Sequence, residues 1–150
     1  MMQAKEALYS AAITTFEDLA FAVADRDAAG IETANWVGEA RVAFVGPWSG
    51  ELVVRLDAAA LARLAANMLG DDVPPTAELQ RDALSELANV ICGHVLPSLA
   101  GSDVVFYLQA PVFGAADDRP EDQDGVRVAL SLDGGHAEVI LHGAGAEAGA

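Results

Sequence analysis

Asp82-Ala83-Leu84-Ser85-Glu86-Leu87-Ala88-Asn89, continued by Val90-Ile91-Cys92-Gly93-His94-Val95, is the stretch that decides the fold. At about 100° per residue, Leu84, Leu87, Ala88, Ile91 and Val95 gather on one side of a helix, the pattern of a core-facing stripe. Asp82, Glu86, Asn89 and Gly93 fall within a sector of roughly 60° on the opposite side. A carboxylate and a carboxamide one turn apart, followed by a residue with no side chain, form a rigid polar face that another molecule can approach closely. The apolar side needs a second layer to pack on, and the rest of the chain supplies one.

Working outward, the spacing predicts a helix from about Thr76 to Ala100 that stops at Gly101. Residues 71–75 before it, Asp71 to Pro75, read as a linker. Asp57 is placed to N-cap an earlier helix carrying Leu61, Leu64, Ala65 and Met68, with Gly70 as its stop. Upstream of that, Glu39–Val45 and Glu51–Leu56 alternate as strands across Gly46-Pro47-Trp48-Ser49-Gly50, a hairpin with strong turn chemistry. An amphipathic helix over 4–25 comes first, with Leu8, Ala12, Phe16, Leu19 and Val23 at helical spacing, ended by Asp27 to Gly30. Downstream, Val104–Leu108 reads as a strand leading to Pro111, and 114–125 as an acidic loop. A last hairpin pairs Val126–Leu132 with Ala137–His142 across Asp133-Gly134-Gly135. A Gly/Ala-rich tail, expected to be disordered, runs from Gly143 to residue 150.

A short internal repeat underlies this layout. Arg41-Val42-Ala43-Phe44 recurs as Arg127-Val128-Ala129-Leu130, each opening a hairpin, and each hairpin follows a long helix. Phe16-Glu17-Asp18-Leu19-Ala20 echoes the later helix, but Ile13 and Ala20 stand where Asp82 and Asn89 would. Only the second copy carries the polar set.

Composition narrows the function. The 150 residues are 53% hydrophobic with a formal charge of −15, a globular domain whose field repels phosphate backbones and anionic lipid. Nucleic acid and membrane are therefore rejected as partners. One cysteine, Cys92, fits a reducing compartment, and the start of the sequence has no basic-then-apolar layout, so a cytoplasmic protein is expected. His94, His136 and His142 lack ligand spacing, so no metal site is expected. Cys92 has no base beside it in sequence. Trp48 reads either as a packed turn aromatic or as an interface anchor. Gly93 permits either close approach of a partner or tight packing. On pattern alone, Asp82, Glu86 and Asn89 also fit an ordinary solvated helix face.

Asp82, three residues, Glu86, two residues, Asn89, then twenty-one residues and Pro111 resembles the signature of the CheC/CheX/FliY chemotaxis phosphatases. A single motif on a chain of this length resembles the CheX branch. So does the wider layout: an N-terminal helix with Phe-Glu near its middle, the Trp-Ser-Gly hairpin, and a helix ending Met68-Leu69-Gly70 ahead of the motif helix. The sequence departs from the family pattern at Ser85, where a glycine is common, and at Cys92; neither touches a chemical role.

The resemblance implies a protein phosphatase acting on the phosphoaspartate of a phosphorylated CheY-like receiver domain. Asn89 would position the attacking water and Glu86 would anchor the regulator's active-site lysine, with Asp82 and Gly93 at the contact and Pro111 shaping the chain. Magnesium would come from the regulator, so the chain needs no cofactor of its own. The fold expected is α+β, a mostly antiparallel sheet with two long helices on one face, over a single domain of residues 1–142. The family also implies a homodimer. A receiver-binding module without catalysis, or an adaptor like flagellar-switch relatives, remains the rival reading.

Overall fold

A computed structural model describes residues 3–70, 75–114, 125–132 and 134–143. Helix α1 (Ala4–Ala20) leads through strand β1 (Ala24–Asp25) and a 3-10 turn to the hairpin β2 (Trp36–Val45) and β3 (Gly50–Asp57). Helices α2 (Ala58–Leu69) and α3 (Ala77–Ala100) follow, then two short edge strands, β4 (Tyr107–Leu108) and β5 (Val112–Gly114). The hairpin β6 (Val126–Leu132) and β7 (Gly135–Gly143) closes the chain. All strand pairs are antiparallel, in the order β1-β6-β7-β3-β2-β4, with β5 also against β2.

Alternation within the strands splits the sheet into two chemically different faces. Ala40, Val42 and Phe44, Leu52, Val54 and Leu56, Val128, Leu130 and Leu132, and Ala137, Val139 and Leu141 share one face and are buried in the core. Against them pack Leu8, Ala12 and Phe16 of α1, Leu61 and Leu64 of α2, and the apolar stripe of α3. The α+β architecture expected from the sequence is the one observed, with α2 as a shorter third helix. By length and composition α3 could cross a membrane, but half of that apolar window is buried inside the protein.

The other face carries a lattice of charge. Arg55 Nε donates to Glu39 Oε1 at 2.9 Å and its Nη1 to Glu138 Oε1 at 3.3 Å. Arg41 Nε reaches Glu39 Oε2 at 2.7 Å, and Arg127 Nη1 reaches Glu138 Oε2 at 3.2 Å. Register explains the pairing, since Glu39 lies opposite Arg55 and Arg55 opposite Glu138. The sequence repeat becomes geometry here. Val53 faces Ile140 where the two hairpins meet, and Arg41 and Arg127 flank that pair from either side.

Several boundaries differ from the sequence expectation. Helix α1 stops at Ala20, not near residue 25, because Phe21 adopts the left-handed conformation (φ 51°) and caps it. Val23, expected on the apolar stripe, is 78% exposed. The strand expected over Val104–Leu108 contracts to Tyr107–Leu108, while β1 and β5 carry no sequence signal long enough to register. Gly114, assigned to the acidic loop, ends β5, and Gly143, assigned to the tail, pairs with Gly50. Residues 115–124 of that loop, residues 71–74 of the linker and residues 144–150 lie outside the described residues. Trp48 packs edge-on against Phe44 and Phe106 at centroid distances of 5.2 and 5.3 Å, so it is a packed turn aromatic.

One end of the sheet is fastened by His136. Its Nδ1 stands 3.1 Å from Asp57 Oδ2 and its Nε2 2.8 Å from the Ala29 carbonyl. Asp57 Oδ1 meanwhile accepts from Ala60 N–H as the N-cap of α2. Two acceptors facing two ring nitrogens favour the doubly protonated imidazolium. The Ala29 carbonyl, and then Asp57, raise the pKa of His136 above its ordinary value.

Two outcomes follow from these contacts. Arg55→Ala leaves Glu39 and Glu138 buried without their shared cation and should destabilise by about 3–5 kcal/mol in a urea melt. The His136 contribution is complete below its unfolded pKa of about 6.5 and is lost as pH rises through the higher folded value. The urea midpoint should therefore fall across that window in the wild type and fall less in His136→Gln.

Candidate functional site

The site is built on α3, and its starting point is fixed locally. Thr76 Oγ1 accepts from Leu79 N–H at 3.1 Å, capping the first turn. Rotation about the axis is fixed by the core: Leu84, Leu87, Ala88, Ile91, Cys92 and Val95 are all fully buried. Gly38 on β2 faces the helices closely, since a Cβ there would come within 3.2 Å of Leu61 and 3.3 Å of Phe113, with Leu84 at 3.4 Å. With that side locked, Asp82, Glu86 and Gly93 are exposed and Asn89 is half-buried. Glu86 and Asn89 are offset by about 4.5 Å along the axis, close enough for both to meet one small group.

Asp82, Glu86 and Asn89 take no hydrogen bond or ion pair with another side chain among the described residues. Their polar capacity is not used by the fold. Around Gly93 no heavy atom lies within 4 Å of where a Cβ would stand. Tight internal packing therefore does not explain this glycine, which costs a helix about 1 kcal/mol relative to alanine.

Pro111 sits apart from these residues, on the sheet edge. Leu108 lies opposite Phe44 and Val112 opposite Arg41, so four steps on the edge match three on β2. The extra residue is a bulge, and a proline without N–H is tolerated there. Its connection to α3 runs through Phe113 of β5, whose ring carries the Arg81 guanidinium at 5.3 Å. That contact joins the site helix to the edge and has no signal in the spacing of the sequence.

Other reactive groups do not join the site. Burial pushes the Cys92 thiol up to about 12, which leaves it un-ionised and poorly nucleophilic. His94 is exposed on α3, and His136 serves the contact with Asp57 described above. Among the described residues no group of three or more His, Cys, Asp or Glu could hold a metal ion. Two surface clefts, one lined by Phe21, Arg63 and Asn67 and one by Asn35, Asp57 and His136, include no α3 side chain. The polar set projects from a helix surface and lies outside both clefts. Such a face suits a macromolecular substrate better than a small one.

Comparison with known proteins identifies the family. The family model described as chemotaxis phosphatase CheX matches residues 39–132. No curated protein matches the chain significantly. Among solved structures, chemotaxis protein CheX from Vibrio vulnificus is similar at TM-score 0.75 and 17% identity, covering 92% of this chain and 94% of that one. CheX from Desulfovibrio desulfuricans is similar at TM-score 0.70 and 16% identity, over 93% and 98% of the two chains. A complex of CheX with CheY, beryllofluoride and magnesium from Borrelia burgdorferi matches at TM-score 0.70 and 15% identity, over 95% and 99%. At these identities the structural likeness establishes the fold.

Because the polar set is unused by the fold, Glu86→Ala and Asn89→Ala should each change stability by less than about 0.5 kcal/mol. Gly93→Ala, with open space to enter, should raise stability by up to about 1 kcal/mol. Urea denaturation of the three variants beside the wild type checks both statements.

Proposed function

The chain belongs to the CheX family of chemotaxis phosphatases, and from that premise we propose that it hydrolyses the phosphoaspartate of a CheY-like receiver domain. The observation that carries this reading is the pair Glu86 and Asn89, one turn apart on a helix locked by its opposite side, with no internal partner for either side chain. The Borrelia complex, in which a CheX is bound to CheY, supports the choice of partner.

Phosphoryl transfer asks little covalent chemistry of a protein and much positioning. Asn89 can accept a hydrogen bond from water through its carbonyl oxygen while its amide donates to a phosphoryl oxygen. The water oxygen then forms a bond to phosphorus in line with the breaking bond to the aspartate oxygen. The aspartate leaves as a carboxylate, and the water's proton passes to phosphate or solvent. Glu86 beside a phosphoryl group would repel it, so its role is to pair with a cation, the receiver's active-site lysine. Asp82 and Gly93 lie at the same contact.

We assign the magnesium to the receiver's own acidic pocket, a reading supported by the Borrelia structure, in which CheX and CheY occur with beryllofluoride and magnesium. Homodimerisation is a further part of the proposal. Tyr107 and Val112 on the edge strands β4 and β5 are 69% and 65% exposed, an apolar edge that a second copy would cover.

Two variants separate the roles. Asn89→Ala should lower catalysed dephosphorylation by about a hundredfold or more while leaving receiver binding largely intact. Glu86→Ala should weaken binding itself, by the roughly 1.5–3 kcal/mol of a charge-assisted contact. The measurement is phosphate release from a panel of phosphorylated receiver domains, with affinity followed alongside. Binding without accelerated release by the wild type would favour the sequestering module over the enzyme. A chelator should stop turnover and leave the melting curve of the isolated protein unchanged, and light scattering at micromolar concentration should give twice the chain mass.

A further inference from the structure

Pro97 lies inside α3, four residues after Gly93. In an α-helix the N–H of residue 97 would bond the carbonyl of residue 93, and proline has no N–H to give. The Gly93 carbonyl is therefore left without its helical donor. No side chain or loop N–H among the described residues replaces it, and the hydroxyl of Ser98 goes instead to the next carbonyl along, that of His94, at 3.1 Å. Gly93 and Pro97 are both exposed, and nothing stands over the Gly93 Cα. Their directions lie within about 20° on either side of the Glu86 direction, and the carbonyl begins about 6 Å beyond Asn89 along the axis. An acceptor that lacks its i+4 helical donor thus occupies the same strip as the polar side chains.

We propose that the Gly93 carbonyl, freed by Pro97, is a further recognition element of the site, accepting a hydrogen bond from a donor on the docked receiver domain. This rests on the receiver-phosphatase reading and extends it to specificity. In the free protein the carbonyl is hydrated. A partner that lands on the last turns of α3 strips this water, and only a partner with an N–H or O–H at that spot replaces the bond. The absence of a side chain at Gly93 lets the donor reach the backbone. Pro97 acts through the carbonyl and is a positioning residue. It also explains why a proline that weakens a helix interior is carried at an exposed position of α3.

The test compares affinities for receiver domains trapped with beryllofluoride and magnesium. Pro97→Ala restores the missing N–H and closes the Gly93 carbonyl. It should raise the melting temperature yet weaken receiver binding about fivefold, the usual net worth of one hydrogen bond. The loss should appear in KM for the phosphorylated receiver and not in kcat. The second variant carries N-methylalanine at 97, introduced by joining two segments at Cys92, with the wild-type sequence joined in the same way as control. It loses the proline ring but still lacks the N–H, so it should bind like the wild type. Equal affinity of Pro97→Ala and wild type overturns the proposal and leaves the functional reading standing. Equal weakening by alanine and N-methylalanine also overturns it, because the ring and not the carbonyl would then be the contact. A wild-type chain that binds no receiver overturns the functional reading and this inference together.

Discussion

The burial of one side of α3 is the constraint on which the rest depends. Leu84, Leu87, Ala88, Ile91, Cys92 and Val95 are fully buried, and a helix held by that many side chains cannot rotate without opening cavities that cost several kcal/mol each. The sheet follows from the same requirement, since its apolar face exists to receive α1, α2 and α3. Glu86 and Asn89 inherit their orientation from side chains that never meet a substrate. One side of the helix thereby carries the packing, and the opposite side is left to polar side chains that the core does not use.

The repeated hairpins show how such a site comes to be single. The β2–β3 and β6–β7 hairpins meet about the Val53 and Ile140 pair, with Arg41 and Arg127 in matching places. The preceding helices do not match in the same way. Ile13 packs against the core and Ala20 is fully buried where α3 has Asp82 and Asn89, while Glu17 stands exposed at the place of Glu86. A sheet face can be completed by either copy, but the full set of carboxylates and carboxamide occurs on α3 alone of the two helices.

What was legible in the sequence follows the strength of each local signal. Long periodic segments such as α2 and α3 were readable, the first because its periodicity agrees with the capping chemistry of Asp57. The end of α1 was not, because Phe21 takes a left-handed conformation that sequence ordinarily assigns to glycine. Strands of two or three residues, β1, β4 and β5, are held by neighbours and not by their own alternation. The buried Glu39, Arg55 and Glu138 lattice was equally hidden, since charged residues in a strand look solvated until the register places them side by side. At the site, the residues that share a face on α3 were legible, and what each of them does not touch became visible only in three dimensions. Pro97 could have been noticed from its four-residue spacing to Gly93, but its consequence needs the helix to continue through it, which a proline ordinarily argues against.

The electrostatics of the α3 face bear on where the cations must lie. Glu78, Asp82 and Glu86 place three carboxylates along successive turns, and the guanidinium of Arg81 on the same helix is turned onto the Phe113 ring. A bare phosphoryl group approaching this surface meets repulsion from the face and from a chain of net charge −15. The approach becomes favourable only when the phosphoryl group arrives already neutralised and next to a cation that Glu86 can engage. A receiver's phosphoaspartate, set in its own metal-binding pocket beside a lysine, meets that condition, whereas a free phosphate ester does not. On the proposed function, the acidity of the face would disfavour small phosphate esters and leave a docked protein partner acceptable.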